Sequence, residues 1–469
     1  MSEYRIESDT LGKVRVPVAA YYGAQTQRAY ENFQISGYRL PRQFIRALGI
    51  IKRAAAETNL KLCLLEKDLA RAIMKAANEV IDGKFDHDFV VDVYQTGSGT
   101  STNMNANEII ANRANEILGG ELGSKQPVHP NDHVNLGQSS NDVIPTAIHI
   151  ASLEGLQKSL VPALQYLYDA LQHKAAEFDQ VIKIGRTHLQ DAVPMRMGQE
   201  FSGYASQIGH GIERIRSAEN HLRELALGGT AIGTGINTHK KFAELTIQKI
   251  SYYTGIPFVA AANRFEALAA RDAMVAVSGQ LKTIAVSLMK IANDLRWLNS
   301  GPRCGIGEIT LPSLQPGSSI MPGKVNPVIP ESIMMLCATV IGNDTAITLG
   351  GQHGNFELNV MMPMMAYHLL ESIRLLTNGV RTFVDRCVDG IVANRERAES
   401  LVEHSLALAT ALAPHIGYDA AAQIAQAAFE TGKTIRQVAL EKNILPAEVL
   451  DRVLDPIRQT EPGLSTEMP

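Results

Sequence analysis

Leucine and other apolar residues recur at spacings of three and four over stretches too long for a small domain, and this periodicity constrains the fold more than any other feature of the chain. Leu153, Leu156, Leu160, Leu164, Leu167 and Leu171 form one row; Leu281, Ile284, Ala285, Leu288, Ile291, Ala292 and Leu295 form another. Such spacing lines up apolar side chains on one face of an α-helix. Between Asn263 and Ser300 there is no proline, and Gly279 is the only glycine. A single helix of about 35 residues is expected there, roughly 50 Å long at the α-helical rise. Further helices are expected near 195–227, 240–254, 330–348 and 356–387. Period-two runs of β-branched residues are scarce, so strands should be minor. The fold class is mainly α, a long central helical bundle. Apolar seams of this length favour several copies sharing one core over a closed monomeric bundle.

The turn residues divide the chain into three expected regions. Residues 1–137 mix short helices with polar segments such as "QTGSGTSTNMN" and "VHPNDHVN"; residues 138–395 carry the long-helix core; residues 396–469 hold short helices punctuated by Gly417, Gly432 and Pro446. The tail "TEPGLSTEMP" has the composition of a disordered end. At 45% hydrophobic and 20% charged, with a net charge of −4, the chain has a globular composition. Nothing in that charge draws it to nucleic acid or to an acidic membrane. No run of roughly 18 or more apolar residues occurs, so no membrane-spanning helix is expected. The N-terminus "MSEYRIESDTLGKVRVP" has neither the apolar core of a secretion signal nor the Arg-rich character of a transit peptide. Cys63, Cys304, Cys337 and Cys387 lack ligand or pairing spacing and are expected to be buried, reduced thiols. Together these features point to a cytoplasmic protein.

Chemistry concentrates in "QPGSSIMPGKVNPVIPES", Gln315 to Ser332. A phosphate loop is excluded, because five residues separate Gly317 from Gly323 and Val325, not Ser or Thr, follows Lys324. Gly317 and Gly323 allow backbone turns barred to other residues, and Pro322 and Pro327 stiffen the path between them. Ser318 and Ser319 ride on this arch, Lys324 and Asn326 supply a cation and an amide, and Glu331 follows. The set can bind a carboxylate and present a hydroxyl beside it; taken alone, it is also what a polar surface loop looks like. Three other segments bear on the choice. "TGSGTSTNMNANE" contains Ser98 and Thr100. "GQSSNDVIPT" places Ser139, Ser140 and Asn141 just before a long helix, where free amide donors collect. "IGRTHLQDAVP" puts Thr187 and His188 between two long helices. Each alone serves equally well as helix capping, turn chemistry or a structural histidine. Together they offer many neutral donors, one lysine, one histidine and one carboxylate, which suits a small dianionic substrate. In "HPNDH", His129 and His133 stand four apart beside Asp132, but Pro130 opposes a regular helix through them. No third-ligand motif stands out, so no metal is expected.

These segments resemble the fumarase/aspartase superfamily. "GSSIMPGKVNP" is similar to its signature, and "TGSGT", "HPNDHVN", "QSSND", "GRTHLQDA" and "GNFELNV" follow in the family's order over essentially the whole chain. The class II fumarases are the most similar branch. The resemblance implies a homotetramer whose long helices form a shared multi-helix core, with each active site drawing on three subunits and with no cofactor. It implies that Ser318 removes the C3 proton of malate, and that His188, paired with Glu331, activates water or protonates the departing hydroxyl. It gives Thr100, Asn141, Thr187, Lys324 and Asn326 to carboxylate binding, with Ser98, Ser139, Ser140 and Ser319 alongside. It also implies a second anion site at His129, Asn131 and Asp132. That site usually includes a basic residue where this chain has Gln126, with Lys125 as the nearest substitute.

The implied reaction is the reversible, metal-independent hydration of fumarate to L-malate, by anti addition of water through an aci-carboxylate. A proton next to a carboxylate is barely acidic, so the doubly charged intermediate needs preorganised donors. An aliphatic hydroxyl such as Ser318 becomes a base only where cations or oriented amides hold its alkoxide. His188 bears on the choice within the superfamily: hydroxide needs an acid to leave and ammonium does not, and aspartases carry Gln at the matching place. Gly323, where aspartases have Ala, agrees. The alternatives are an aspartate ammonia-lyase and a catalytically silent structural relative such as the lens crystallins of this superfamily.

Overall fold

The computed structural model describes residues 4–463, and helices dominate them. Both apolar rows lie on helices and are fully packed, every member at 2% exposure or less. The first row begins in helix Ser140–Gly155, passes through a π turn at Leu156–Leu160 and continues in Val161–Glu177. Pro162 has no N–H to return to the preceding turn, and the helix widens there without ending. Other long helices cover Arg42–Lys61, Lys67–Ile81, Thr100–Ile117, Met197–Leu222, Phe242–Thr254, Val328–Gly351 and Met362–Phe383.

The expected 35-residue helix is two. Arg264–Ala269 is capped by the Asn263 side chain, and Asp272–Leu298 follows with 27 residues. Ala270 between them is extended, at φ −106° and ψ 158°. Arg271 is buried, and its guanidinium donates back to the Ala267 carbonyl. Burying that side chain outweighs the modest helix propensity lost at one break.

Strands are few, as the composition implies: five two-stranded ladders among the described residues. The hairpin Ile182–Thr187 with Gln190–Arg196 matters most, because it occupies the segment expected to link two long helices. Its base is apolar. Ile182 and Ile184 pack into a cluster with Val402, Leu408, Leu412 and Leu450.

The chain packs as two compact units. One gathers residues up to Pro162, Ile212–Ala285 and Ala338–Thr377; the other gathers Ala163–Gly211, Val286–Cys337 and the residues from Asn378 on. In the first, Arg42–Lys61 is the hub for Lys67–Ile81, Ser140–Gly155 and Phe242–Thr254.

Three sequence expectations are revised. Helices Asp272–Leu298 and Val328–Gly351 are long and apolar enough, by composition, to cross a membrane, although only 44% and 39% of their most apolar windows are buried in this chain. Scattered polar residues keep either from being one continuous apolar run. Of the four thiols, Cys337 and Cys387 are buried and pushed up to about 12 by burial, but Cys63 and Cys304 are exposed in turns. The tail begins ordered: Arg196 donates to the Thr460 hydroxyl at 3.0 Å and Gln199 to the Thr460 carbonyl at 2.9 Å. The rest of that segment, from Leu464 on, lies outside the described residues.

Candidate active site

In the first unit, the turn before helix Thr100–Ile117 is built by glycine. A Cβ on Gly97 would fall 1.7 Å from the Val360 carbonyl oxygen, so no other residue fits. Gly99 caps the helix at φ +71°, a left-handed conformation. The tight turn aligns three hydroxyls: Ser98 Oγ is 2.8 Å from Thr100 Oγ1, which is 2.7 Å from Ser140 Oγ. Each has one O–H and two lone pairs, so a hydroxyl that donates to its neighbour can still accept from a ligand, and the one at the end of the chain that only accepts is free to donate.

Ser140 opens helix Ser140–Gly155. Ser139 is its cap, in a reciprocal capping box with Asp142, and its Oγ accepts from Asn141 N at 3.2 Å. The Asn141 side chain donates to the Ala231 carbonyl at 2.8 Å. Asp142 is fully buried and accepts from the N–H groups of Ser139, Gly228 and Thr230. Burial pushes it up to about 6, against the opposing pull of those donors. Ser98 and Thr100 at one helix start and Ser139, Ser140 and Asn141 at another are thus brought together through the Thr100–Ser140 contact.

His129, Asn131 and Asp132 lie on a short π turn, Pro130–Val134. His129 Nδ1 accepts from Asn131 N and Asp132 N, both at 3.2 Å. An Asp132 oxygen approaches the same nitrogen at 3.3 Å. His133 Nδ1 accepts from His129 N at 2.8 Å, and burial pulls His133 below the usual imidazole range. Lys125 turns its ammonium to the Ser8 carbonyl. Among the described residues, no cluster of three or more His, Cys, Asp or Glu forms a metal site.

In the second unit, Thr187 and His188 stand at the exposed tip of the hairpin. The turn between Thr187 and Gln190 has only two residues, His188 at φ +56° and Leu189 at φ +60°. Two left-handed residues in succession are what a type I′ turn demands, usually of Asn and Gly. Neither residue here is of that kind, so the turn is held from outside. Just before it, Arg186 grips Glu308 through two hydrogen bonds at 2.9 and 3.0 Å, and buried Lys183 approaches the same carboxylate at 3.4 Å. Glu308 is wholly buried, and the bidentate geometry fixes the strand's position.

The loop 311–327 joins a short strand to helix Val328–Gly351. Gly317 N donates to the Lys324 carbonyl at 2.8 Å and the Asn326 side chain donates to Gly317 O at 2.6 Å, drawing the arch closed. A Cβ on Gly317 would meet Asn326 N and Lys324 O at 2.7 Å. Within the arch, Ser318 Oγ accepts from Met321 N at 2.8 Å and Ile320 N at 3.2 Å. Ser319 is exposed. Lys324, Asn326 and Glu331 line one cavity of about 560 Å³ together with Asn293, Arg296 and Asn299. Glu331 sits in the first turn of its helix. Within this chain His188 and Glu331 form no ion pair.

Several polar residues went unread in the sequence. Arg186 lies inside a quoted motif yet shows its partner only in the fold. Arg296 and Glu308 have no local signal. Lys52 is wholly buried, but beside Arg53 in the sequence it reads as an ordinary charged pair.

Residues 12–342 match the lyase family, and residues 408–461 match the fumarase C C-terminus. The chain is 55% identical over 461 residues to fumarate hydratase class II of Nitrosomonas europaea, covering 98% of this chain and 100% of that protein. It is 56% identical over 457 residues to mitochondrial fumarate hydratase of Rattus norvegicus, covering 97% and 90%. Among solved structures it is similar to recombinant class II fumarase from Schistosoma mansoni, at a TM-score of 0.95 and 43% identity over 97% of this chain and 99% of that one. It is also similar to a fumarate lyase:delta crystallin from Brucella melitensis bound to cobalt, at a TM-score of 0.94 and 49% identity over 98% and 100%. Kinship at this identity, over the full length of both partners, leaves one conclusion: the chain belongs to the class II fumarases, a family of lyases.

Proposed function

We propose that this chain is a hydro-lyase that interconverts fumarate and L-malate. The observation that carries the reading is the arch around Ser318, whose hydroxyl oxygen receives two backbone N–H groups of its own loop. Oriented amides are what an aliphatic alkoxide needs in order to exist near neutral pH. In the elimination direction Ser318 Oγ takes the C3 proton, and the electron pair left behind spreads into the neighbouring carboxylate. Lys324 and Asn326 meet that growing charge; a preorganised donor of this kind is worth about 3 kcal/mol when removed. The C2–O bond then breaks as His188 gives its proton to the leaving hydroxyl.

Thr100, Asn141 and Thr187, with Ser98, Ser139, Ser140 and Ser319 alongside, bind the carboxylates in this reading; the hydroxyl chain from Ser98 to Ser140 supports it. Glu331 is the partner of His188 in the same reading. Since the two do not meet within one chain, the pair forms between subunits of a homotetramer whose active sites are each shared by three chains. The half-exposed apolar helices support that assembly: Val286 and Leu349 are 55% and 52% exposed on helices otherwise built for burial. His129, Asn131 and Asp132 form a second anion site; Gln126 and the diverted Lys125 weaken it. Residues 1–137, 138–395 and 396–469 act as successive regions, in keeping with helix starts at Ser140 and Arg395. A cytoplasmic location completes the proposal.

The test is absorbance near 240 nm on mixing purified protein with malate and, separately, with aspartate. Malate should yield fumarate and aspartate should not, in a preparation sedimenting at the mass of four chains. Comparable turnover of aspartate would make the protein an ammonia-lyase. Silence with both would make it a structural relative, and a fully active monomer would remove the shared site.

A further inference from the structure

Lys52 lies in the middle of helix Arg42–Lys61, wholly buried, and every partner of its ammonium is a side-chain oxygen. Nζ donates to Asn103 Oδ1 at 2.8 Å, Asn135 Oδ1 at 3.0 Å and Gln138 Oε1 at 3.0 Å. Three acceptors account for all three protons of an ammonium. Burial, opposed in part by the Asp142 charge at the next helix start, brings Lys52 down to about 7.

The three amides come from three different substrate-facing segments. Asn103 is on the first turn of the helix that begins at Thr100. Asn135 closes the turn that carries His129, Asn131 and Asp132. Gln138 immediately precedes Ser139, Ser140 and Asn141.

An ammonium can only donate, so it dictates which way each amide faces. With its oxygen held by Lys52, Asn135 points its NH2 at the Gln138 carbonyl, 3.1 Å away. Gln138 points its NH2 at the carbonyls of Val134 and Leu136, at 3.1 and 3.3 Å. Asn103 and Asn107 both turn their NH2 groups to Asn135 Oδ1, at 3.2 and 3.1 Å. The loop 134–138 is thereby folded onto itself, and the serine turn is delivered at a fixed place beside Thr100.

We propose that Lys52 is a positioning residue for substrate binding, a buried cation that sets three amides and through them aligns the Thr100, His129–Asp132 and Ser139–Asn141 segments. It touches no substrate. The inference rests on the hydration reading above for the identity of the ligand. Without the ammonium, Asn103 Oδ1 and Gln138 Oε1 lose their buried donor and Asn135 Oδ1 keeps only the two neighbouring amides, so the amides are free to rotate and the loop loses the bonds that their NH2 groups made.

The experiment is steady-state turnover of malate by the assembled enzyme, with Lys52→Met and Gln138→Leu compared to wild type and the melting temperature and sedimentation of each recorded. Lys52→Met keeps the stem and removes the charge. KM should rise by roughly tenfold or more while kcat falls by a smaller factor, because the groups displaced bind substrate in ground and transition state alike. Gln138→Leu cuts only the arm to the serine turn. It should raise KM by about fivefold in a protein that still melts near the wild-type temperature and still sediments as the oligomer.

An assembled Lys52→Met enzyme with KM within about twofold of wild type would overturn the proposal. Should Lys52→Met fail to fold, an unchanged KM in Gln138→Leu overturns it equally. If the wild type itself leaves malate untouched, the hydration reading falls and this inference with it. An active wild type with unmoved variants sinks the inference alone.

Discussion

Ser318→Ala should abolish exchange of the malate C3 proton with solvent and lower turnover by roughly 10²-fold or more, the scale of a lost acid–base group. The expectation follows from the arch. The Ser318 oxygen is the point at which the Met321 and Ile320 amides converge, so removing it deletes the one atom they are arranged to stabilise. Ser319 is the internal control, because it is exposed and adjacent; Ser319→Ala should raise KM and leave exchange running. The measurement is loss of label from C3-deuterated malate, followed alongside net dehydration. Exchange at near wild-type rate in Ser318→Ala would leave the loop as a carboxylate clamp and send the search for the base elsewhere.

His188→Asn should cut kcat by about 10²-fold or more and leave KM for malate within a few-fold of wild type. Asparagine is the right replacement for a structural reason. His188 occupies the left-handed region, and Asn tolerates that region better than other side-chain-bearing residues. The hairpin keeps its turn and only the imidazole is lost; a β-branched substitute would disturb both. Glu331→Gln should act through the same imidazole, so the double variant should be little worse than the poorer single one. Fully multiplicative losses would show that the two residues work independently, and would remove the pairing between subunits from the mechanism.

The parts legible in the sequence were those set by local chemistry. Rows of leucine at spacings of three and four mark helices because the period is fixed by backbone geometry, and two glycines mark the arch, Gly317 because a Cβ would strike the backbone that closes it and Gly323 because its φ is +79°. The break at Ala270–Arg271 was hidden, since Ala, Leu and Arg are all good helix formers. What stops the helix is the burial of one guanidinium. The hairpin at Ile182–Arg196 was hidden for the converse reason. Its turn uses His and Leu where the local signal is Asn and Gly, and its stability comes from Glu308, more than a hundred residues away. Lys52 shows a third kind of blindness. Its role resides in three amide orientations, and composition carries no record of which way an amide faces.

The two-residue turn at His188 has a consequence for how this protein can change over generations. A loop of six or eight residues absorbs insertions by bulging, and its contents drift. A turn of two has no slack. One residue added between Arg186 and Gln190 would shift the pairing by one, and alternate side chains on a strand point to opposite faces. The imidazole would then leave its direction altogether rather than move by an ångström. Length at this place is thus under tighter constraint than identity, and the hairpin works as a ruler whose last graduation is the histidine.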